Sequence, residues 1–116
     1  MLACTISIVE ATEAKHVDAL GRVGTALADP TRRRILLLLL ERAAYPADIA
    51  DALGTGRTNI SNHLACLRGC GLVSTHREGR QVRYELSSAR LAHALTDLVD
   101  LDLAVVPGHD DLDGRD

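Results

Sequence analysis

The chain has 116 residues, 47% of them apolar, with no Phe or Trp, two Tyr and three Cys. That length allows one domain with a modest core of Leu, Val, Ile and Ala, a composition that suits helix-on-helix packing and gains stability by dimerising. No apolar run approaches the ~20 residues needed to span a bilayer, so the sequence reads as a cytoplasmic protein. Three cysteines in a reducing compartment point to metal or redox chemistry and away from a disulfide framework.

The net charge of −3 argues at first against nucleic acid, but the distribution reverses that impression. From Arg57 to Tyr84 five arginines (57, 68, 77, 80 and 83) face one acid, Glu78, whereas Asp100 to Asp116 carries six Asp against Arg115. A basic segment on an acidic chain is a patch, and such patches bind phosphate.

In chain order, residues 1–12 lack a clear period and read as a mobile arm. The domain proper spans 13–106, and 107–116 form an acidic tail. A first helix is expected from about Glu13 to Ala28, with Val17, Leu20, Gly24 and Leu27 at helical spacing. Asp29-Pro30 starts a second, because Asp caps well and Pro suits the first helical position; it runs to about Arg42, apolar almost all round as befits a central helix. A third spans Pro46 to Leu53. Gly54-Thr55-Gly56 makes a tight turn, and a fourth spans about Arg57 to Gly69. Two short helices joined by a Gly-containing turn form the helix-turn-helix pattern. Leu72–His76 and Gln81–Leu86 are strand-like around a charged tip, Arg77-Glu78-Gly79-Arg80, which makes a wing. Ser87 or Ser88 caps a last helix whose stripe of Leu91, Leu95, Leu98 and Val99 needs a partner, and Pro107-Gly108 ends it. The fold expected is mainly α with a small β-hairpin, a winged helix-turn-helix in helix–helix–helix–helix–strand–strand–helix order, homodimeric.

On the fourth helix Ile60, Leu64 and Leu67 form the core face. Opposite lie Thr58, Ser61, Asn62 and Ala65, with Arg57 and Arg68 toward one edge. These short polar and forked groups reach base edges and phosphates in a major groove, and Ala65 fits a thymine methyl. Arg77, Arg80 and Arg83 on the wing suit phosphate or the minor groove. A symmetric dimer would set two such helices about one turn of double-stranded DNA apart and read a pseudo-palindromic operator.

Cys66 and Cys70, four apart, share the end of this helix on a stripe with Asn59 and His63, with Cβ atoms about 5–6 Å apart. Two thiolates so placed grip one soft ion. A further ligand must come from Cys4, from the tail (His109, then Asp110 or Asp111), or from another protomer; structural burial or thiol redox switching are the other roles open to the pair. His93, Asp97, Asp100, Asp102 and His109 could sketch a harder, zinc-type site, and surface placement is the reading preferred for them. His16 and His76 receive no role. There is no Gly-rich phosphate loop and no catalytic constellation, so the chain reads as no enzyme.

Ala28-Asp29-Pro30-Thr31-Arg32, Ile35-Leu36, Ser61-Asn62-His63-Leu64, Leu67-Arg68, Gly71-Leu72-Val73 and Gly79-Arg80-Gln81-Val82-Arg83-Tyr84, in that order over residues 17 to 100, resemble the ArsR/SmtB family of metal-sensing repressors. The segment from His63 to Gly71, with Cys4, is similar to the CmtR-type branch, which senses cadmium and lead. The resemblance implies a dimer built on the first and last helices that binds its operator metal-free and releases it when a soft ion binds. The ion implied is cadmium or lead, with zinc or mercury as alternatives. It further implies that Cys66 and Cys70 are ligands, with a third cysteine from the C-terminal region. The tail here has no cysteine, which leaves Cys4 as the preferred third sulfur and His109 as the alternative. The family's cysteine site at the third helix is absent, since Ala44-Tyr45-Pro46 carries no thiol.

Overall fold

The computed structural model describes residues 2–107, with side chains from Glu10 onward. The element order is α1 (Leu2–Leu27), α2 (Pro30–Glu41), α3 (Pro46–Leu53), α4 (Arg57–Gly69), β1 (Val73–Glu78), β2 (Gln81–Leu86) and α5 (Ala89–Val99). This is the winged helix-turn-helix expected of the sequence. Among the described residues no helix is long and apolar enough to cross a membrane.

Three boundaries differ from the expectation: β1 runs on to Glu78, so Arg77 and Glu78, read as part of the tip, are paired strand residues, and two helix ends move. α1 begins at Leu2, so the segment read as an arm is helical. Residues 2–20 contain neither Pro nor Gly, and helix propagates readily through such a run. Glu10 to Asp18 are all exposed, so this part of the helix buries no face in the protomer's core. α5 stops at Val99 rather than near 106. Asp97 and Asp100 place negative charge at the negative end of the helix dipole, and the following Leu-Asp-Leu alternates with period two.

The core is aliphatic. Ile35, Leu36 and Leu39 of α2, Ile49, Ala50 and Leu53 of α3, and Ile60, Leu64 and Leu67 of α4 are buried together with Ala26, Ala44, Leu72, Val73 and Leu95. Leu64 is 1% exposed, so Leu64→Ala should remove about 2–5 kcal/mol of stability, read from denaturant unfolding. Gly54 ends α3 at φ +68°, a left-handed conformation that lets the chain turn at once into α4.

β1 and β2 pair antiparallel from Val73↔Leu86 to Glu78↔Gln81, leaving a two-residue tip of Gly79 and Arg80. Ala44 pairs with Tyr84 as a third short strand through hydrogen bonds of 3.0 and 2.8 Å, which seats the hairpin beside the start of α3.

The junction of α1 and α2 is tied by side chains. Asp29 caps α2, accepting from the Arg32 backbone N–H at 3.1 Å. α1 has no glycine at its end, and its last carbonyls are met by guanidinium groups instead: Arg32 donates to Thr25 O (2.7 Å) and Ala26 O (3.2 Å), and Arg33 to Leu27 O (2.6 Å). Asp29→Ala should lower stability by about 1 kcal/mol. The Arg32 N–H holds the Asp29 carboxyl below its ordinary range against partial desolvation. Its contribution is therefore full above the unfolded carboxyl's pKa and fades as pH falls through the lower folded value. Thermal melts of wild type and Asp29→Ala should converge in acid.

Candidate functional site

α4 divides lengthwise. Ile60, Leu64 and Leu67 bury one face against α2 and α3. Arg57, Thr58, Ser61, Asn62, Ala65 and Arg68, the residues read as DNA-facing, are all exposed. Gly56 caps the helix without a side chain, leaving its first N–H groups open, and Asn59 is braced by donating to Thr55 Oγ1 at 3.1 Å.

On the wing, Arg77 near the end of β1 and Arg80 in the tip are exposed. Arg83 is placed differently. It is half-buried and committed to two carboxylates, Glu78 (Nε, 2.8 Å) and Glu85 (Nη1, 3.4 Å). Tyr45 Oη donates to Glu78, and His76 pairs with Glu85 across the hairpin. The hydrogen bond from Tyr45, then that from Arg83, holds the Glu78 carboxyl below the usual range. The same bond raises the Tyr45 hydroxyl, and Glu78 keeps Arg83 charged.

A third side of α4 carries His63, Cys66 and Cys70. Cys66 lies on the last turns and Cys70 is the C-cap, its N–H reaching back to Cys66 O at 2.9 Å. Both thiols are free and half-buried. Partial burial, followed by the adjacent Cys66, raises the Cys70 thiol, while Arg32 and Arg22 work against the rise. One turn before Cys66, His63 Nδ1 faces Arg32 Nη1 at 3.4 Å and its Nε2 faces Asp29 Oδ2 at 3.7 Å. Arginine only donates, so Nδ1 accepts and the ring proton sits on Nε2 toward Asp29. The thiol pair thus adjoins the knot that ties α1, α2 and α4 together.

The donor set is soft. Two thiols on one helical face suit a thiophilic ion. Among the described residues no group of three or more His, Cys, Asp or Glu is arranged to hold a metal, so a site built on the pair would need a donor from elsewhere. The backbone of Cys4 lies in the first turn of α1, while its side chain falls outside the described residues, as does His109. His93, Asp97, Asp100 and Asp102 are exposed and form no such group.

Sequence reasoning missed two arrangements. The Asp29–His63–Arg32 knot joins residues 31 apart, and its only local trace was His63 on the cysteine stripe. The wing network was partly legible, since His76, Glu78, Arg83 and Glu85 alternate in sign on one face once the register is known.

Residues 29–75 match the family model described as bacterial regulatory protein, arsR family. The transcriptional regulator CmtR of Mycobacterium tuberculosis is 60% identical over 88 residues, which is 76% of this chain and 75% of that protein. The chain belongs to the arsR family. It is accordingly a transcriptional regulator and not an enzyme. Two solved structures extend the likeness. The NMR structure of the cadmium metal-sensor CMTR from Mycobacterium tuberculosis is matched with a TM-score of 0.62 and 56% identity, over 77% of this chain and 93% of that one. The homodimeric winged helix-turn-helix DNA-binding domain of Mb0332 from Mycobacterium bovis is matched with a TM-score of 0.69 and 36% identity, over 75% and 82%. The α4 face and the wing of this arsR-family chain are therefore its candidate DNA surface.

Proposed function

We propose that this chain is a dimeric, metal-responsive repressor that holds operator DNA when metal-free and releases it when a soft ion binds Cys66 and Cys70. Cadmium or lead is the ion favoured, with zinc or mercury as alternatives. The observation that carries this reading is the position of the half-buried thiol pair at the end of the helix that offers the DNA face. A similar protein's description as a cadmium metal-sensor adds support.

On DNA, Ser61, Asn62, Arg57, Thr58, Ala65 and Arg68 take the major groove, and Arg77 and Arg80 take phosphate or the minor groove. A bound ion supplies a cross-link between thiolates, while the chain's own residues carry the consequence. Cys66 and Cys70 fix the last turn of α4, and His63, three residues earlier, passes any shift of that turn to Arg32 and so to the end of α1. A coupling of about 1–3 kcal/mol, or 5–150-fold in operator affinity, is the ordinary scale for such a link.

The third ligand comes from the partner protomer. Arg22 of α1 lies near enough to act on Cys70, and Cys4 stands 18 residues earlier on the same helix. At 1.5 Å per residue that is about 27 Å along the helix from Arg22, which favours a donor from a second copy. Cys4 of a second copy is the preferred donor, with His109 as the alternative.

Thiol redox sensing fits less well. A reactive cysteine needs a lowered pKa, and that of Cys70 is raised. A metal overcomes that by displacing the proton.

The test is operator affinity with and without one equivalent of cadmium, using a duplex recovered from a random pool by the metal-free, reduced protein. Cadmium should weaken binding at least fivefold. Unchanged affinity with cadmium bound sinks the metal-response reading, and release by peroxide alone favours the redox one.

A further inference from the structure

The wing's arginines do not share one role. The register sets Ser74, His76, Glu78, Gln81, Arg83 and Glu85 on one face of the hairpin and Thr75, Arg77, Val82 and Tyr84 on the other. The antiparallel bridge between Ala44 and Tyr84 brings Tyr45 beside Arg83, on the same face. A line of polar groups then crosses all three strands: Tyr45, Glu78, Arg83, Glu85 and His76, each in contact with the next. It begins at the N-cap of α3 and ends on β1.

That placement makes Arg83 a poor phosphate ligand. Its guanidinium is flanked by Glu78 and Glu85, and the three charges together are negative, so an approaching phosphate meets net repulsion there. The same contacts suit it to another task. A two-stranded hairpin is marginal by itself and needs packing to hold its direction. Two backbone hydrogen bonds from Ala44 hold the wing at Tyr84, midway along β2, and do not reach the positions next to the tip. The Tyr45–Glu78 contact reaches the last paired position before the tip.

We propose that Tyr45, Glu78 and Arg83 form a clamp that fixes the wing's direction relative to the helix-turn-helix, so that Arg83 serves DNA binding as a positioning residue while Arg77 and Arg80 make the contacts. Glu78, the one acid of the basic segment, is thereby a hinge pin whose charge is spent internally.

The test pairs a measurement on DNA-free protein with one on the complex. Backbone ¹⁵N relaxation at the Gly79 amide reads the order of the tip, and titration of the selected operator duplex reads affinity. Arg83→Ala and Tyr45→Phe should each lower the Gly79 order parameter without DNA. Each should also weaken operator binding, Arg83→Ala by about five- to tenfold, and the double variant should be little worse than Arg83→Ala alone, as members of one network are non-additive. Arg80→Ala should weaken binding while leaving Gly79 order unchanged. The clamp is overturned if Arg83→Ala leaves Gly79 order at the wild-type value, or if Tyr45→Phe is silent in both readouts. Tyr45→Phe removes one hydroxyl from an accessible site, so it keeps the test open should Arg83→Ala fold poorly. Should the wild-type protein select no duplex, DNA binding itself fails, and the relaxation arm still decides the clamp.

Discussion

Cys66→Ser and Cys70→Ser should each leave operator affinity of the metal-free protein within about twofold of wild type while abolishing release by cadmium, because neither thiol lies on the exposed face proposed to meet DNA. Serine keeps the shape and withdraws the soft donor. If a four-ligand structural site is worth about 10–16 kcal/mol, each thiolate carries a few, and its loss should cost on the order of 100-fold or more in metal affinity. The readout is the thiolate-to-metal absorbance band together with a competition titration against a chelator. A pH series adds a signature. Partial burial raises the Cys70 thiol, so it is protonated at neutral pH and must lose that proton to the metal. Apparent affinity should rise with pH, by up to about tenfold per unit for each thiol proton displaced, and level off above the thiol pKa. Serine at either position should flatten that slope. Cys4→Ser should weaken the metal in the dimer yet leave a residual band from the pair. A Cys66→Ser variant that keeps the full band would remove the thiol pair from the site.

How much of this was legible in the sequence depended on how local each signal is. Asp29-Pro30, Gly54, Ser88 and the apolar spacing of Ile60, Leu64 and Leu67 act within a turn or two, and the helices and the helix-turn-helix could be read from them. The cysteine pair was legible for the same reason, since four residues on a helix define one face. The first half of α1 was not. Amphipathic period marks a helix that buries a face in its own chain, and Glu10 to Asp18 are all exposed. The role of Arg83 was hidden by register: as a composition it counts toward a basic patch, and only the pairing of His76 with Arg83, together with the Ala44 bridge, puts it between two carboxylates. Long-range ties such as Arg32 to His63 leave no periodic trace.

The second large effect should come from an apolar face left open among the described residues. Leu27, Leu36, Leu37, Leu40, Leu95, Leu98 and Val99 line a groove of about 210 Å³ between α2 and α5, with Arg33 at its edge. Leu37 is 47% exposed, Leu98 48% and Val99 59%, and on α1 Val17 and Leu20 stand out further, at 59% and 71%. Exposed apolar residues on three helices, those of α2 and α5 sharing one groove, suit an interface better than ordinary surface. The occupant we favour is a second copy, its α1 and α5 facing the same elements, since a two-fold partner covers like with like and the similar Mb0332 domain is homodimeric. Leu98→Glu puts a carboxylate where burial would leave it unpaired, a cost of several kcal/mol to the dimer. The protomer should fold, because half of Leu98 already faces water. Sedimentation at micromolar concentration should then report a monomer. Operator affinity should fall by about 10²–10⁴-fold, since two half-sites are no longer held by one molecule and the second contact loses its effective concentration. Metal should be affected too. With the third donor coming from the partner, the monomer keeps Cys66 and Cys70 alone and should bind cadmium more weakly even at full thiol reduction. A Leu98→Glu protein that sediments as a dimer and holds its operator at wild-type strength would mean that α5 is not the interface. A monomer that binds cadmium as tightly as wild type would mean instead that the site closes within one chain. The two results are separable, because the first concerns the apolar face and the second the reach of α1.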